Sequence, residues 1–490
     1  MQNHIIQKVF VEITVNNKEK AYRIKDDIGS FLSLDVFPEI ERCIRELDNR
    51  TGACTMQIPS LELDLNVKSS SLNAELKDKI AGLFREELSE ISPPLEITEQ
   101  KQSDQEKPSW VSDQEKTVNT FIYFLENGCM PWWISEKHTV DFMQEPVFED
   151  LISAPTFRKS IISVLPKRIV QERIIHQLSE KQIVKLCRII LKGKELKINL
   201  ENEVIRQIPT LRSQSRTFIW RLILRVLSEV VHSSDVKIRE FFLKQFSEIK
   251  NTEAKKISIP HKDLKILAEI FPFVEKHEIT KIIENPARAE NYEHIQKDRE
   301  SHHVEEISEK IAGQKGVTAY NEALPEVGQY LQNAGLVLIH PFIKTFFKHC
   351  DLLDPTNQEL TDPELCAHLL HYIATGKTNA PEYDMSFEKF LCHIPSDQTI
   401  KRHIKLSRQH KMEAKKLIDS VKQNWNPMKN SSDELLQNEF FQRSGKLTVT
   451  DYDCTLTVER KTQDILLDKL SWGIGLVKLP WKDEFLLVNW

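Results

Sequence analysis

The chain has no long apolar run, and it has little glycine. Its 490 residues include 13 glycines and 21 prolines, a composition that excludes fibrous and collagen-like proteins. The longest strongly apolar stretch, residues 334–343, is broken by His340 and Pro341 and is far shorter than the roughly 20 residues of a membrane span. The first 20 residues contain no apolar core of a signal peptide. We therefore expect a protein that is made in the cytoplasm and does not insert into a membrane.

Paired cysteines and an excess of one charge are also missing. The eight cysteines form no C-x-x-C pair, which favours free thiols in a reducing compartment. The 67 Lys and Arg residues and the 73 Asp and Glu residues are interspersed, and their difference gives a net charge of −6. This balance provides no overall field for nucleic acid or anionic lipid. With 40% hydrophobic residues, the chain is an ordinary globular protein of two to four domains.

Two N-terminal segments alternate apolar and polar residues, as half-buried strands do. Val9–Val15 and Leu61–Val67 each place apolar side chains on one phase of a period of two. Residues 17–47 and 72–88 have helical spacing instead, with a break near Pro38. The first 90 residues are therefore predicted to form a small α/β unit.

The rest of the chain is mainly helical, with two segments poor in large aliphatic residues and a β-rich end. Residues 446–460, 472–480 and 484–490 have strand character. We predict a mainly α fold with a smaller α+β part, multi-helix central domains, and strands near both termini that join one mixed sheet. The predicted segments are an α/β unit at 1–90, a linker at 91–116, a helical domain at 117–284, a charged linker at 285–322, a helical domain at 323–425 and a β-rich segment at 426–490.

Motifs for catalysis or metal binding are incomplete. The string IATGKT at residues 373–378 matches only the second half of a phosphate-binding loop, because His371 stands where the first glycine is required. We interpret Gly376 as the end of a helix. His368 and His371 share a helical face near Cys366 and Cys392, but no second pair has zinc-ligand spacing. We expect no catalytic residue, no metal site and no cofactor.

One segment is densely basic. Residues 401–416 carry a run of lysines and arginines around a single glutamate. Such a segment could contact nucleic acid or an acidic protein surface, but it contains no interleaved aromatic residue for base stacking. The apolar spacing that continues to Trp425 favours a solvated helix face, and we expect no nucleic-acid partner.

Tryptophans next to prolines are candidates for protein contacts. Pro131 precedes Trp132 and Trp133, and Pro480 precedes Trp481. Proline restricts the backbone beside each ring, and tryptophan is enriched at the energetic centres of interfaces. For Trp132 and Trp133 a place in the core is an equally good interpretation. Trp490 is a further candidate, because a terminal residue frays unless something holds it.

Five blocks resemble the contractile injection system tape measure proteins of phage-tail-like particles. The blocks are HIIQKVFVEITV at the start, FLENGCMPWW, NAGLVLIHPFI, AHLLHYIATGK with PEYDMSFEKFLCHIP, and TLTVERKTQDILLDKL with KLPWKDEFLLVNW. They occur in family order over nearly the whole chain. Two departures are Lys482, where relatives are expected to have an apolar residue, and Asn489, where they are expected to have an acid.

The resemblance implies a non-enzymatic component of a particle with an inner tube, a contractile sheath and a baseplate with a spike. It adds Pro341 and Phe342 to the candidate interface, and it implies inner-tube and baseplate or spike proteins as partners, with self-association in a few copies. The protein would assemble in the cytoplasm and then lie inside the tube. A cytoplasmic assembly factor or cargo-loading chaperone for the same particle is the alternative.

Overall fold

The computed structural model divides the chain into two compact units. Unit 1 comprises residues 1–119 and 133–139, and unit 2 comprises residues 120–132 and 140–490. The structure describes the following residues: 6, 9–15, 17–51, 54–58, 60–65, 72, 74–90, 109–134, 141–192, 198–232, 237–252, 261–284, 328–450 and 453–490.

The described residues of unit 1 before residue 113 form three α-helices and a pair of short strands. The side chain of Asn17 caps the first helix, accepting a hydrogen bond of 2.9 Å from the Glu19 N–H. The apolar core around these helices contains Phe31, Val36 and Ile40. The elements are α1 (Lys18–Phe31), a π-helical turn (Leu32–Val36), α2 (Phe37–Thr51), β1 (Cys54–Gln57), α3 (Ala74–Glu90) and β2 (Ser109–Ser112), with β1 and β2 antiparallel.

The prediction of two strands from the N-terminal alternation is wrong for the residues that the structure describes. Val9–Val15 and the described part of the second segment, residues 61–65, belong to neither a helix nor a strand. Val67 lies outside the described residues. Alternation provides an apolar face, but a strand also needs a neighbouring strand to complete its hydrogen bonds. In unit 1 the paired segments are β1 and β2 instead.

Between residues 113 and 284 every secondary-structure element in the described residues is a helix, as the spacing from Thr117 to Glu284 predicts. Local signals set the helix ends: Ser179 and Gln182 form a reciprocal capping box at the start of the helix that begins at Glu180. The helices are α4 (Asp113–Asn127), α5 (Glu145–Ser153), α6 (Phe157–Val164), α7 (Arg168–Gln177), α8 (Glu180–Leu191), α9 (Asn202–Ile205), α10 (Ser213–His232), α11 (Ile238–Thr252), α12 (His261–Ile270) and α13 (Lys276–Glu284).

The described residues between 328 and 490 combine five α-helices with a five-stranded sheet around one apolar core. Helices and the inner sheet face share this core, which contains Phe347, Trp425 and Leu456. The helices are α14 (His340–His349), α15 (Pro363–Thr375), α16 (Ser386–Leu391), α17 (Arg408–Asn424) and α18 (Asp433–Leu436), and the strands are β3 (Gln329–Leu331), β4 (Gly445–Val449), β5 (Cys454–Val458), β6 (Leu476–Lys478) and β7 (Phe485–Asn489).

The sheet is mixed, with strand order β3-β4-β5-β7-β6. Strands β5 and β7 are parallel, and the other neighbours are antiparallel. Residues 445–449, 454–458, 476–478 and 485–489 confirm the strand character predicted for the end of the chain.

The predicted class, mainly α with a smaller α+β part, is confirmed. The prediction that strands from both termini join one sheet is wrong for the described residues, which form two separate sheets. The C-terminal strands pair with one another and with β3. Strands β1 and β2 pair with each other in the second sheet. Within the described part of the chain, no helix combines the length and the apolar character that crossing a bilayer requires.

Candidate protein interface

A buried ionic cluster joins helix α7 to the segment after α15. The Arg173 Nε and the Glu382 Oε2 are 3.2 Å apart, and both side chains are completely buried. The Lys389 Nζ donates to the Glu382 Oε1 at 2.8 Å, and the Thr399 Oγ1 donates to the Glu382 Oε2 at 3.1 Å. We call Arg173, Glu382, Lys389 and Thr399 the Glu382 cluster. Because charges are costly to bury, its members are stable here only while they remain paired.

Main-chain groups complete the hydrogen bonds of this cluster. Arg173 donates to the carbonyl oxygens of Leu125 (2.6 Å) and Asp397 (3.2 Å). The Gln177 Oε1 accepts from the Glu382 N–H at 2.9 Å, and its Nε2 donates to the Ile400 carbonyl at 2.7 Å. These bonds connect residues more than 200 positions apart in the sequence. The cluster therefore holds two distant stretches of unit 2 in one arrangement.

Gly128, within the block FLENGCMPWW, is adapted to this cluster. Its φ of +76° lies in the left-handed region, and a Cβ there would be 2.6 Å from the Glu382 Oε1 and 2.8 Å from the Arg173 Nη2. Both the backbone conformation and the space exclude a larger side chain. The sequence analysis identified the block FLENGCMPWW but did not predict that Gly128 packs against a buried ionic cluster. The glycine itself was the signal that could have indicated a close contact.

Helix α15 contains the first half of the incomplete phosphate motif and the two histidines of the incomplete zinc motif. Helix α15 ends at Gly376, which has a φ of +69°, so the interpretation of this glycine as a helix end is confirmed. The His368 Nε2 is 2.7 Å from the Lys401 carbonyl, and the His371 Nδ1 is 2.9 Å from the Glu388 Oε1. Burial lowers the pKa of His368. Among the described residues, no group of three or more His, Cys, Asp or Glu side chains could hold a metal ion.

A second buried polar group surrounds His371. The Asn333 Nδ2 donates to the Glu388 Oε1 at 2.8 Å, and Asn333 itself adopts a left-handed φ of 57°. Asp384 lies near this group. Burial raises the pKa of Asp384 to about 6, with a further contribution from Glu388, while His371 acts in the opposite direction.

The candidate interface residues in 341–342 and 480–490 include aromatic rings that pack against other rings of the same chain. The Phe342 and Trp472 rings meet edge to face at 5.3 Å, and the Trp481 ring lies 5.5 Å from the Phe347 ring. The Trp481 Nε1 donates to the Leu391 carbonyl at 2.8 Å. Pro341 and Pro480 are exposed. These rings are half-buried anchors of the core, and their part in a protein interface stays a prediction.

Trp490 is held by three interactions. Its Nε1 donates to the Asp464 Oδ2 at 3.0 Å, its carbonyl oxygen accepts from the Arg460 Nη2 at 2.6 Å, and the Arg443 guanidinium lies 6.0 Å from its ring. Intramolecular contacts therefore hold the residue that was expected to need an anchor. Trp132 and Trp133 are half-buried in the turn that follows Pro131.

The outer face of the C-terminal sheet carries an apolar patch that the candidate residues do not include. Leu476, Phe485 and Leu487 are 55%, 53% and 40% exposed, and we call them the sheet patch. Leu476 is paired with Leu487, and Phe485 is paired with Lys478. Their neighbours Val477 and Leu486 point into the core. The period-two alternation of these strands could therefore have predicted which side chains form the exposed face. Exposed apolar patches are typical of sites for other proteins.

Comparison with known proteins gives one family. No curated protein and no solved structure matches the chain. The model of the contractile injection system tape measure protein family matches residues 3–490. This match covers both compact units, the Glu382 cluster and the sheet patch. The chain therefore belongs to the contractile injection system tape measure protein family.

Proposed function

We propose that this protein is a non-enzymatic structural component of a contractile particle that sets the length of the inner tube or initiates the tube. The observation that supports this role is the family match over residues 3–490. Its partners are the inner-tube and the baseplate or spike proteins, and copies of the chain associate with one another. It assembles in the cytoplasm and then lies within the tube.

The architecture favours action through surfaces of folded units. A single helix of 490 residues would reach about 730 Å, at about 1.5 Å per residue. The longest continuous helical stretch described, α1 and α2 with the π-helical turn between them, runs from Lys18 to Thr51 and spans about 50 Å. In the described part of unit 2 the helices are packed around buried aromatic and ionic side chains. The candidate contacts are therefore Trp132, Trp133, Pro341, Phe342, Pro480, Trp481 and Trp490, together with the sheet patch.

Insertions test whether the chain measures length. A helix-forming insertion of about 40 residues in the predicted linker 91–116 should lengthen the tube by about 60 Å if this segment is helical in place. Tube lengths would be measured by electron microscopy. A Gly/Ser insertion of the same size is the matched control, because it adds residues without a fixed rise. Tubes of unchanged length with the helical insertion would reject length measurement.

A cytoplasmic assembly factor or cargo-loading chaperone is the second candidate. The compact core of residues 328–490 favours it, because a chaperone acts as a folded body and is not stretched along the tube. Mass spectrometry of purified particles separates the two roles: a tube component is retained in a few copies, whereas an assembly factor is absent.

In a strain without the gene, lost or irregular tubes support the structural role and normal empty particles support cargo loading. An enzyme is the third candidate, on the partial phosphate-loop motif alone, and a lack of measurable ATP or GTP binding by calorimetry would remove it.

A further inference from the structure

The outer face of strands β5, β7 and β6, which are neighbours in the C-terminal sheet, is open to solvent. The side chains that alternate with this face are all buried in the core. Of the outward side chains, Thr455 is half-buried and the others are exposed. They are Thr455 and Thr457 of β5, Phe485, Leu487 and Asn489 of β7, and Leu476 and Lys478 of β6. The sheet patch is therefore part of a wider open surface.

One row across these strands carries two opposite charges. Strands β5 and β7 are parallel and Cys454 is paired with Leu486, so Asp453, directly before β5, lies level with Phe485. Asp453 is exposed and has the same phase as the outward residues of β5. On the other side of β7, Lys478 is paired with Phe485. The row therefore runs from Asp453 through Phe485 to Lys478, and its two charged residues are two strand spacings, about 10 Å, apart.

Neither charge of this row belongs to an ion pair among the described residues. The Lys478 Nζ contacts the Asp483 carbonyl oxygen and lies 4.8 Å from the centroid of the Phe485 ring. The main chain of Asp453 bonds to Thr450: its N–H donates to the Thr450 Oγ1 at 3.1 Å, and its carbonyl oxygen accepts from the Thr450 N–H at 2.9 Å. A partner that brings one acid and one cation to this row would therefore gain two ion pairs.

The charges of the face favour a protein over nucleic acid as the occupant. Asp453 and Lys478 balance each other, and Asp483 and Glu484 add negative charge in the turn between β6 and β7. A polyanion binds to an excess of cations, which this surface does not have. The occupant that fits has an apolar centre with an acid on one side and a cation on the other. The same face of a second copy of the chain has this composition.

A two-fold axis that runs along β7 makes two such faces complementary. Packed sheets keep their strand directions nearly aligned, and an axis along the strands satisfies this condition. The axis exchanges the two sides of β7, so Lys478 of each copy faces Asp453 of the other. Phe485 and Leu487 lie on the axis and face their own counterparts. An axis across the strands at this row would instead place each charge against its own counterpart, which is repulsive.

We propose that the chain forms a two-fold symmetric dimer in which the outer faces of β5, β7 and β6 of two copies pack against each other. This inference rests on the self-association in the proposed function, for which it names the surface. The contact involves three short strands, less than a standard interface of about 1,600 Å², so the dimer is reversible. Both copies use the same patch, so association ends at the dimer.

Sedimentation velocity of the full-length chain over a range of concentrations tests the dimer. We expect a monomer–dimer equilibrium. Leu487→Asp places two carboxylates on the axis and should raise the Kd of the dimer more than about a hundredfold, because facing like charges cost several kcal/mol. Ile465→Asp is the matched control. Ile465 is 72% exposed in the 3₁₀ helix Thr462–Lys469, outside the sheet, and its substitution should leave the Kd within about twofold.

A charge exchange tests the two-fold arrangement. Lys478→Asp makes two carboxylates face each other at both ends of the row and should raise the Kd about tenfold, and Asp453→Lys should do the same with two cations. A chain that carries both substitutions restores the two ion pairs with their charges exchanged. Its Kd should return to within about threefold of that of the unsubstituted chain. Damage to folding would add in the doubly substituted chain, so recovery is specific to the pairing.

Four results would overturn the proposal. They are a chain that stays monomeric at every concentration, association that continues beyond the dimer, equal effects of Leu487→Asp and Ile465→Asp, and a doubly substituted chain that does not recover. The insertion experiment on tube length does not alter this face, so the two proposals fail separately. Tubes that lengthen with the insertion while the chain stays monomeric would reject only the dimer, and a dimer with unchanged tubes would reject only length measurement.

Discussion

The two ends of the chain match the same family but are packed differently. In unit 1, the described core is a small apolar group around Phe31, Val36 and Ile40, and Val9–Ile13 exposes large apolar side chains. In residues 328–490, helices and a five-stranded sheet share one core. Because stability comes mainly from buried apolar surface and paired buried charges, we infer that unit 2 carries most of the stability of the chain.

Removing the central carboxylate of unit 2 should have the largest effect. Glu382→Gln leaves Arg173 and Lys389 as buried cations without a carboxylate, and breaking a buried ion pair costs about 3–5 kcal/mol of unfolding free energy. Urea unfolding followed by tryptophan fluorescence measures this loss.

Glu75→Gln in unit 1 is the matched control for this substitution. It removes the exposed Glu75–Lys79 pair of helix α3, whose atoms are 2.9 Å apart. An exposed helical pair contributes at most about 0.5 kcal/mol. Equal losses from the two substitutions would contradict the difference between the units.

Glycine substitutions sharpen the same comparison. At Gly335, a Cβ would lie 1.6 Å from the Phe440 carbonyl oxygen, so Gly335→Ala should destabilise unit 2 by about 3 kcal/mol, at the upper end for overpacking. At Gly82 in helix α3, no atom of the described residues outside the local helix backbone lies within 4 Å of the added Cβ. Gly82→Ala should therefore stabilise unit 1 by about 0.5–1 kcal/mol. Thermal unfolding of both variants measures the two signs. Destabilisation of similar size at both sites would show that unit 1 is packed as tightly as unit 2.

A smaller effect than those of Glu382→Gln and Gly335→Ala is expected for a pH dependence that is confined to unit 2. The pKa of Asp384 is about 6 in the folded chain and about 3.8 for an unperturbed side chain, so the folded state binds its proton more tightly. Stability from this group is therefore present below about pH 4 and is lost as the pH rises through about 6. Asp384→Asn should remove this slope and raise the unfolding free energy at pH 7 by about 1–2 kcal/mol. Urea unfolding at pH 4, 5, 6 and 7 measures it, and an unchanged slope in the variant would contradict this assignment.

Local signals predicted many of the helices and the C-terminal strands. The spacing of apolar residues located α10, and the glycine at position 376 located the end of α15. The basic segment from residue 401 was predicted to form a helix that continues to Trp425. Helix α17 begins only at Arg408, because the Ser407 side chain caps it by accepting from the His410 N–H. These features depend on a few neighbouring residues and can be recognised without a fold.

Features that depend on distant residues could not be predicted in this way. Alternation at Val9–Val15 resembles that of β5, but only β5 has neighbouring strands in the described structure. Arg173 and Glu382 each look like ordinary surface charges in the sequence, and 209 positions separate them. The rings of Trp481 and Trp490 were predicted as contacts for other proteins, while their intramolecular hydrogen bonds to Leu391 and Asp464 required the fold.

The position of β7 has a consequence for synthesis of the chain. Strand β7 lies between β5 and β6, so β6 is connected to the sheet only through residues that follow it. On the ribosome, β4 and β5 can pair as a hairpin as soon as they emerge, whereas β6 must wait until Phe485–Asn489 has left the exit tunnel. The edge at β6 is therefore the last part of the sheet to form, and it is complete only after all of residues 328–489 have left the ribosome.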